Sequence, residues 1–314
     1  MDTDDKPVAV DGGRPAPIQA VPVKHPGQVI AGVVLVVLAG LFIYGAATNK
    51  AYGWGTYGKY LFEQRILEGV GYTLALTVIA MVGGVVLGVL LAVMRMSPNK
   101  VFAWTAWLYL WIFRGTPVYV QLVLWGLIGS IYKTVDFGVP FGPTFVSFDI
   151  QQWSLEYVFV LAGIGLALNE AAYMAEIVRA GISSVGEGQM EASTALGMTW
   201  WQTMRRTVLP QAMRVIIPPT GNEFISMLKT TSLVAAVPFT GELYGVQRDI
   251  SGINFEPIPM LLVASTWYLA VTSILMVGQH FLEKRYSRGA SRTLSDGQLK
   301  MLAAAAPHSN MIGG

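Results

Sequence analysis

The 26-residue stretch Gly69–Met94 reads GVGYTLALTVIAMVGGVVLGVLLAVM and contains no charged residue. A helix needs about 20 apolar residues to cross the hydrocarbon core of a bilayer, so this stretch predicts a membrane-spanning helix. It also carries Gly84 and Gly88, a spacing of small residues that favours close packing between membrane helices. The fold class that follows from it is a helical membrane bundle.

The composition of the whole chain agrees with a membrane protein. Of its 314 residues, 53% are hydrophobic and only 13% are charged, whereas soluble chains average about 25% charged residues. The 21 Lys and Arg nearly balance the 19 Asp and Glu, which leaves no basic excess to neutralise nucleic-acid phosphates. The chain has no cysteine, and this excludes disulfide frameworks, cysteine zinc sites, iron–sulfur clusters and cysteine nucleophiles.

Five further stretches are predicted to cross the membrane, so that the chain forms an all-α polytopic bundle of six spans. They are Val29–Ala47, Val101–Tyr132, Tyr157–Ala180, Gln211–Val237 and Pro257–Leu282. The first of them follows a polar tail and is longer than the apolar part of a usual signal peptide. We therefore predict a retained helix there, with a cleaved signal peptide as the alternative.

The distribution of positive charge predicts the orientation. Fourteen of the 21 Lys and Arg fall in the two tails and in the segments Arg95–Lys100 and Arg179–Arg214, whereas five fall in the opposite loops. Positively charged segments stay in the cytoplasm, so both termini are predicted to lie inside. Residues 1–27, a polar segment rich in Pro, Gly and Asp, form a predicted disordered cytoplasmic tail, and residues 286–314 form a predicted flexible C-terminal tail by their composition.

The cytoplasmic loop that follows the fourth span is too long for a simple connection. Ser184 with Glu187, and Thr199 with Gln202, have the spacing of capping boxes, which predicts two short helices. Gly197 lies between them, where a helix end in the left-handed conformation favours glycine. Pro210 is predicted to follow the second helix and to change the direction of the chain.

This loop combines charged residues with apolar and aromatic ones. The apolar members are Met190, Leu196, Met198, Trp200 and Trp201. Such residues on a surface indicate either a docking site for a partner or an amphipathic helix that lies on lipid. The residues alone do not favour one interpretation over the other.

The same loop resembles the EAA loop of ABC-importer permease subunits, whose pattern is E-A-A-x3-G-x9-I-x-L-P. The matching residues are Glu191, Ala192, Ser193, Gly197, Leu209 and Pro210. Two positions depart from the pattern, since Ser193 replaces the second Ala and Thr207 replaces Ile. The resemblance implies that the matching residues couple the chain to an ATPase.

Other motifs resemble the polar-amino-acid subfamily of these permeases, which imports histidine, glutamate, glutamine, arginine or opines. They are Phe113–Pro117 with Val120–Leu122, Ala172–Gly181, Gly221–Ile225 and Leu228–Leu233. The resemblance places a permease core at 69–285, with five transmembrane helices and a cytoplasmic coupling loop at 183–210. The helix at 28–48 is then an extra N-terminal transmembrane helix.

The resemblance implies a type I ABC importer in a bacterial cytoplasmic (plasma) membrane. Two permease subunits, either two copies of this chain or this chain and a paralogue, would form the translocation path. ABC ATPase subunits would dock on the coupling loops, and an extracytoplasmic amino-acid-binding protein would deliver the substrate. ATP and Mg would be bound by the partner ATPase, so that this chain holds no cofactor and is not itself an enzyme.

Charged residues inside membrane spans are expensive and usually face a cavity or a partner. The predicted substrate-path residues are Arg114, Thr116, Glu170, Glu176, Asn222 and Glu223. Glu170 is assigned to the ammonium or cationic side chain of an amino acid, and Arg114, at a predicted helix break, to its carboxylate. The alternative is structural pairing, for example of Glu170 with Arg114 or Lys229.

Catalytic and metal sites are not predicted. The segment Gly53–Lys59 fits the phosphate-loop pattern G-x4-G-K, but Tyr60 replaces the Ser or Thr that would hold magnesium. The three histidines are dispersed along the chain, which does not favour a metal cluster.

The outer loop Lys133–Trp153 is an ordinary surface loop or a contact for the delivery protein. The alternative function for the whole chain is a stand-alone ion-coupled carrier or channel.

Overall fold

The computed structural model describes residues 26–139, 142–149 and 155–286. The helices are α1 (Pro26–Thr48), α2 (Trp54–Tyr60), α3 (Gln64–Arg95), α4 (Lys100–Gly115), α5 (Val118–Gly126), α6 (Ile128–Ile131), α7 (Leu155–Ser183), α8 (Glu187–Ala195), α9 (Trp200–Thr203), α10 (Leu209–Thr230), α11 (Leu243–Asn254) and α12 (Pro257–Tyr286). Strands β1 (Thr134–Gly138) and β2 (Thr144–Asp149) lie between α6 and α7. The chain divides into two units, 1–52 and 53–314, which are described separately.

The first unit contains α1, whose 23 residues are apolar on every side. Within the described residues, almost all of its side chains are exposed, as suits a helix surrounded by lipid. The predictions for the tails concern residues 1–27 and 286–314, of which all but Pro26, Gly27 and Tyr286 lie outside the described ranges.

Four helices of the described residues are long and apolar enough to cross a membrane. They are Gly27–Thr48, Gln64–Arg95, Tyr157–Ser183 and Pro257–Tyr286. The other two predicted spans correspond to α4–α6, which is interrupted around Pro117, and to α10, which contains Pro218 and Pro219 besides its charged residues. The helical fold class is confirmed, whereas the count of six spans stays a prediction.

A two-stranded hairpin in the predicted outer loop is the departure from an all-α chain that the described residues show. β1 and β2 pair antiparallel, with Asp136 opposite Ser147 and an irregularity in the register at Phe137/Gly138. The Ser147 hydroxyl donates a hydrogen bond to the Asp136 carboxylate. The β-branched and aromatic residues of Thr144–Phe148, bounded by Gly142-Pro143 and Asp149, are the signal in the sequence that could have indicated a strand.

The core of the second unit is built around α7, which packs most extensively against α3. The close approach of these helices requires glycine, since a methyl group added at Gly84 would come within 2.6 Å of Glu170 Cγ, and one at Gly88 within 2.5 Å of Met174 Cβ. The predicted close-packing role of Gly84 and Gly88 is therefore confirmed, and Glu170 lies directly at this helix crossing.

A buried acidic residue caps α11, in the connection between α10 and α12. The carboxylate of Glu242 accepts hydrogen bonds from the backbone N–H groups of Tyr244 and Gly245 and from the Tyr268 hydroxyl. The neighbouring Leu243 N–H donates to Thr73 Oγ1 of α3 at 3.2 Å. Glu242 is fully buried, so this cap joins α3, α11 and α12 at one point.

We expect the stability of the chain to depend on pH through Glu242. Burial raises the pKa of its carboxyl group to about 7, although the two N–H groups, Tyr268 and Arg248 favour the charged form. Because this pKa lies above that of an exposed glutamate, about 4.3, the stabilisation from the protonated group is complete below about pH 4 and is lost as the pH rises through about 7.

The measurement is the Tm of the purified chain in detergent between about pH 5 and about pH 8. The wild-type Tm should fall across this range, and Glu242→Gln, which imitates the protonated state, should show a flatter profile. Asp249→Asn on the same helix is the matched control and should keep the wild-type slope. Equal slopes for the wild type and Glu242→Gln would exclude Glu242 as the titrating group.

Candidate functional site

The coupling loop forms the predicted pair of short helices, α8 and α9. Thr199 and Gln202 make both hydrogen bonds of a capping box at the start of α9, as predicted. Gly197 has a φ of +73°, and the N–H groups of Gly197 and Met198 close the end of α8 on Thr194 O and Ser193 O at 2.9 and 3.1 Å. The prediction of a left-handed glycine between two helices is confirmed.

Two details of the loop prediction are wrong. Ser184 does not cap α8, which begins after Gly186 without a side-chain cap, because the Ser184 hydroxyl instead donates to Gly181 O at the end of α7. Pro210 does not end the second helix, since the chain stays helical from Trp200 to Thr230. The π-helix at Met204–Val208 lies directly before Pro210, and the proline occupies the first turn of α10, where a missing N–H is tolerated.

The loop presents part of its apolar surface to solvent. Glu191 and Ala192 are exposed, and Leu196 has an exposed fraction of 81%. Trp200 and Trp201 are also exposed, but they line the mouth of a cavity inside the bundle. The exposed surface of the loop in the described residues thus includes both α8 with its glycine end and the two tryptophans of α9.

The two departures from the EAA pattern contact each other. Ser193 Oγ lies 3.0 Å from Thr207 Oγ1 and also donates to Gln189 O at 2.8 Å. The side chain of Ser193 is buried between α8 and the π-helix. A hydrogen-bonded pair thus occupies the place where the pattern has an alanine and an isoleucine, and it ties α8 to the base of α10.

We expect Ser193 and Thr207 to be energetically coupled. Ser193→Ala and Thr207→Val should each lower the free energy of unfolding by about 1 kcal/mol, because each removes the hydrogen bond between the two hydroxyl groups. The double variant should cost less than the sum by about 0.5 kcal/mol or more. The measurement is unfolding in mixed micelles, with Thr194→Val, an exposed hydroxyl on α8, as the control. Strictly additive effects would contradict the coupling.

The predicted helix break lies between α4 and α5. α4 ends at Gly115 and α5 begins at Val118, with Pro117 extended between them. Arg114 and Thr116 are exposed at this break, and the Arg114 guanidinium lies 5.7 Å from the ring centre of Tyr173 on α7. Arg114 therefore contacts α7 through an aromatic ring rather than through the acidic group of Glu170.

The acidic residues of the predicted path separate into two groups. Glu170 is 3% exposed, and its Oε1 atom has no hydrogen-bond partner. Glu223 on α10 is half-buried and close enough to interact electrostatically with Glu170. Glu176 instead forms a salt bridge of 2.7 Å with Arg179 on its own helix. Within the described residues, the predicted structural pairs of Glu170 with Arg114 or Lys229 are not formed.

A cavity of about 1440 Å³ leads from the coupling loop towards these acidic residues. Its walls come mainly from apolar residues of α3, α7, α10 and α12. Met174, one turn from Glu170, and Phe224, next to Glu223, both line it. Asn222 is exposed on α10, and its neighbour Gly221 lines the cavity. The cavity is therefore lined by the immediate helix neighbours of the two acidic residues, although neither carboxyl group lines it.

Two polar residues at the helix break had no role in the prediction, Gln121 being named only within the Val120–Leu122 motif and Asn169 not at all. Gln121 and Asn169 are both buried and hydrogen-bonded to each other, Asn169 Nδ2 donating to Gln121 Oε1 at 3.0 Å. Both also donate to Phe113 O. A proline followed four residues later by an amide side chain is the signal that could have indicated Gln121.

Known proteins are similar to this chain in sequence and in fold. Residues 84–288 match the family described as the binding-protein-dependent transport system inner membrane component. The chain is 60% identical to the arginine transport system permease protein ArgU of Corynebacterium glutamicum over 292 residues, which is 93% of this chain and 90% of the relative. That similarity leaves 22 residues outside and therefore includes α1.

More distant relatives agree. The histidine/lysine/arginine/ornithine transport system permease protein HisM of Escherichia coli is 35% identical to this chain. The similarity covers 69% of this chain and 87% of the length of HisM. The crystal structure of an amino acid ABC transporter with histidines has a TM-score of 0.58 at 32% identity, over 70% of this chain and 94% of that one.

The fold and the coupling loop thus define a membrane subunit of an ABC importer. The chain belongs to the family of binding-protein-dependent transport system inner membrane components. It is a multi-pass membrane protein and a permease subunit of the amino-acid branch of this family.

Proposed function

We propose that the chain imports polar or charged amino acids with energy from a separate ATPase, and that arginine is the first substrate to test. The observation that carries the proposal is the α8–Gly197–α9 turn, because it exposes Glu191 and Leu196. This turn lies in the segment that resembles the EAA loop of ABC-importer permeases. The similarity to the arginine permease of C. glutamicum supports the choice of arginine.

ATP and magnesium bind to the partner ATPase subunits in this proposal, and the coupling loop transmits their motion. The helix is continuous from Trp200 to Thr230, so that a displacement of α9 is carried along α10. α10 bears Glu223 beside Glu170. Closure of the ATPase subunits therefore changes the distance between the two acidic residues of the path.

Glu170 and Glu223 recognise the cationic part of the substrate. Two carboxyl groups close enough to interact electrostatically repel one another when both are charged, and a nearby cation relieves this repulsion. The unpartnered Oε1 of Glu170 leaves an acceptor for an ammonium or guanidinium group. Arg114, Thr116 and Asn222 contribute polar groups for the substrate carboxylate, and Glu176 lies nearer the cytoplasmic end of α7.

The remaining partners follow from the same architecture. A second permease subunit, either the same chain or a paralogue, completes the path. An extracytoplasmic amino-acid-binding protein delivers the substrate on the outer side, where the β1–β2 hairpin lies in the predicted topology. The complex resides in a bacterial cytoplasmic membrane with both termini of the chain inside.

The proposal is tested by uptake of labelled arginine in a bacterial host without its own arginine importers. Co-expression of the chain with its binding protein and ATPase should raise uptake at least tenfold over a host that lacks only this chain. An excess of unlabelled arginine, lysine or histidine should compete, and leucine should not. Uptake of leucine without uptake of arginine would contradict the proposed substrate class.

A further inference from the structure

The carbonyl group of Phe113 lacks its usual partner in the helix. In a continuous α-helix it would accept a hydrogen bond from the N–H of residue 117, but residue 117 is a proline and has no N–H. Two side-chain amides replace this donor. Gln121 Nε2 lies 3.0 Å and Asn169 Nδ2 lies 3.3 Å from Phe113 O.

The same two amides join the helix break to α7. Gln121 Nε2 also donates to Thr116 O at 3.1 Å and to Thr116 Oγ1 at 2.8 Å. Its carbonyl oxygen accepts from Asn169 on α7. Gln121 and Asn169 are each 7% exposed. A buried network of this kind is rigid when its members are all paired, and here it fixes the end of α4 against α7.

We propose that Gln121 and Asn169 are positioning residues that set the separation between the two ends of the substrate site. Asn169 directly precedes Glu170, the proposed contact for the cationic group. Gln121 holds Thr116, which lies with Arg114 at the proposed contact for the carboxylate. The amide bridge therefore determines whether both ends of one amino acid are bound at once. This inference rests on the proposed function of Glu170.

The test replaces Gln121 or Asn169 by an apolar residue of similar size. It compares these variants with a control that loses a different hydrogen bond between α4 and α7. Asn169→Leu and Gln121→Met remove the bridge without adding a charge. Tyr109→Phe is the control, because the Tyr109 hydroxyl donates to Leu168 O at 2.7 Å and thus also joins α4 to α7, but it does not touch Phe113 O. Labelled arginine is the probe, and its Kd is measured on the detergent-solubilised complex with the ATPase.

All three variants should lower the Tm, whereas only the bridge variants should raise the Kd for arginine, by about tenfold or more. Tyr109→Phe should change it less than about twofold. If Asn169→Leu does not fold, Gln121→Met carries the test alone. An unchanged Kd in a folded bridge variant would overturn the positioning role while leaving the site intact. Absence of arginine binding by the wild-type complex would instead overturn the proposed substrate site, and the bridge with it.

Discussion

Replacing Gly197 by valine is expected to abolish the coupling of this permease to its ATPase. The backbone at Gly197 is left-handed, with a φ of +73°, and a side chain at this position meets no atom within 4 Å. Within this chain, a loss of stability in the variant therefore comes from the backbone conformation. The left-handed conformation costs an ordinary residue about 1–2 kcal/mol and a β-branched residue more, so α8 should lose its compact end.

The control at the same position is Gly197→Asn, because asparagine tolerates the left-handed conformation. ATPase subunits should co-purify with Gly197→Asn nearly as well as with the wild type, and at least tenfold less with Gly197→Val. ATP-dependent uptake should follow the same order. Equal loss in both variants would show that the absence of a side chain, rather than the conformation, matters at Gly197. Equal retention would remove Gly197 from the coupling surface.

Replacing Glu170 by glutamine is expected to impair arginine binding while it stabilises the chain. Glu170 is buried with an unpartnered oxygen and interacts electrostatically with Glu223. Glutamine keeps the shape of Glu170 and cannot become charged beside Glu223, so the Tm should rise or stay constant. A charged hydrogen bond to a ligand contributes about 1.5–3 kcal/mol, so the Kd for arginine should increase by at least tenfold.

The opposite directions of these two effects distinguish a binding group from a structural one. A carboxylate that held helices together would lose stability on neutralisation, in parallel with function. Glu68→Gln is the control, since Glu68 is an exposed carboxylate near the start of α3, where it accepts a hydrogen bond from Gln64. It should leave both the Tm and the Kd unchanged. An unchanged Kd in Glu170→Gln would place the substrate elsewhere.

The features that sequence reasoning predicted are those controlled by local chemistry. The left-handed Gly197 and the Thr199 capping box depend on residues within one helical turn, and both are confirmed. The Ser184 cap has the same spacing but fails, because its hydroxyl is within reach of the α7 carbonyl at Gly181. Spacing identifies a possible cap, and the competing acceptor determines whether it forms.

The features that sequence reasoning missed depend on contacts between distant segments. The bridge between Gln121 and Asn169 joins residues 48 positions apart, so that no pattern along the chain contains both. The pairing of Ser193 with Thr207 shows only when α8 packs on the π-helix. Arg114 contacts Tyr173 instead of an acidic residue, because the orientation of the break relative to α7 is set by this packing.

We propose that this permease transports amino acids only when a separate ATPase acts on its coupling loop. The most direct measurement is arginine accumulation in proteoliposomes that contain the chain with or without the ATPase subunits, with loaded binding protein on the outer side. We predict accumulation that requires both the ATPase and internal ATP. Accumulation driven by a sodium or proton gradient in liposomes without the ATPase would contradict the claim and indicate an ion-coupled carrier.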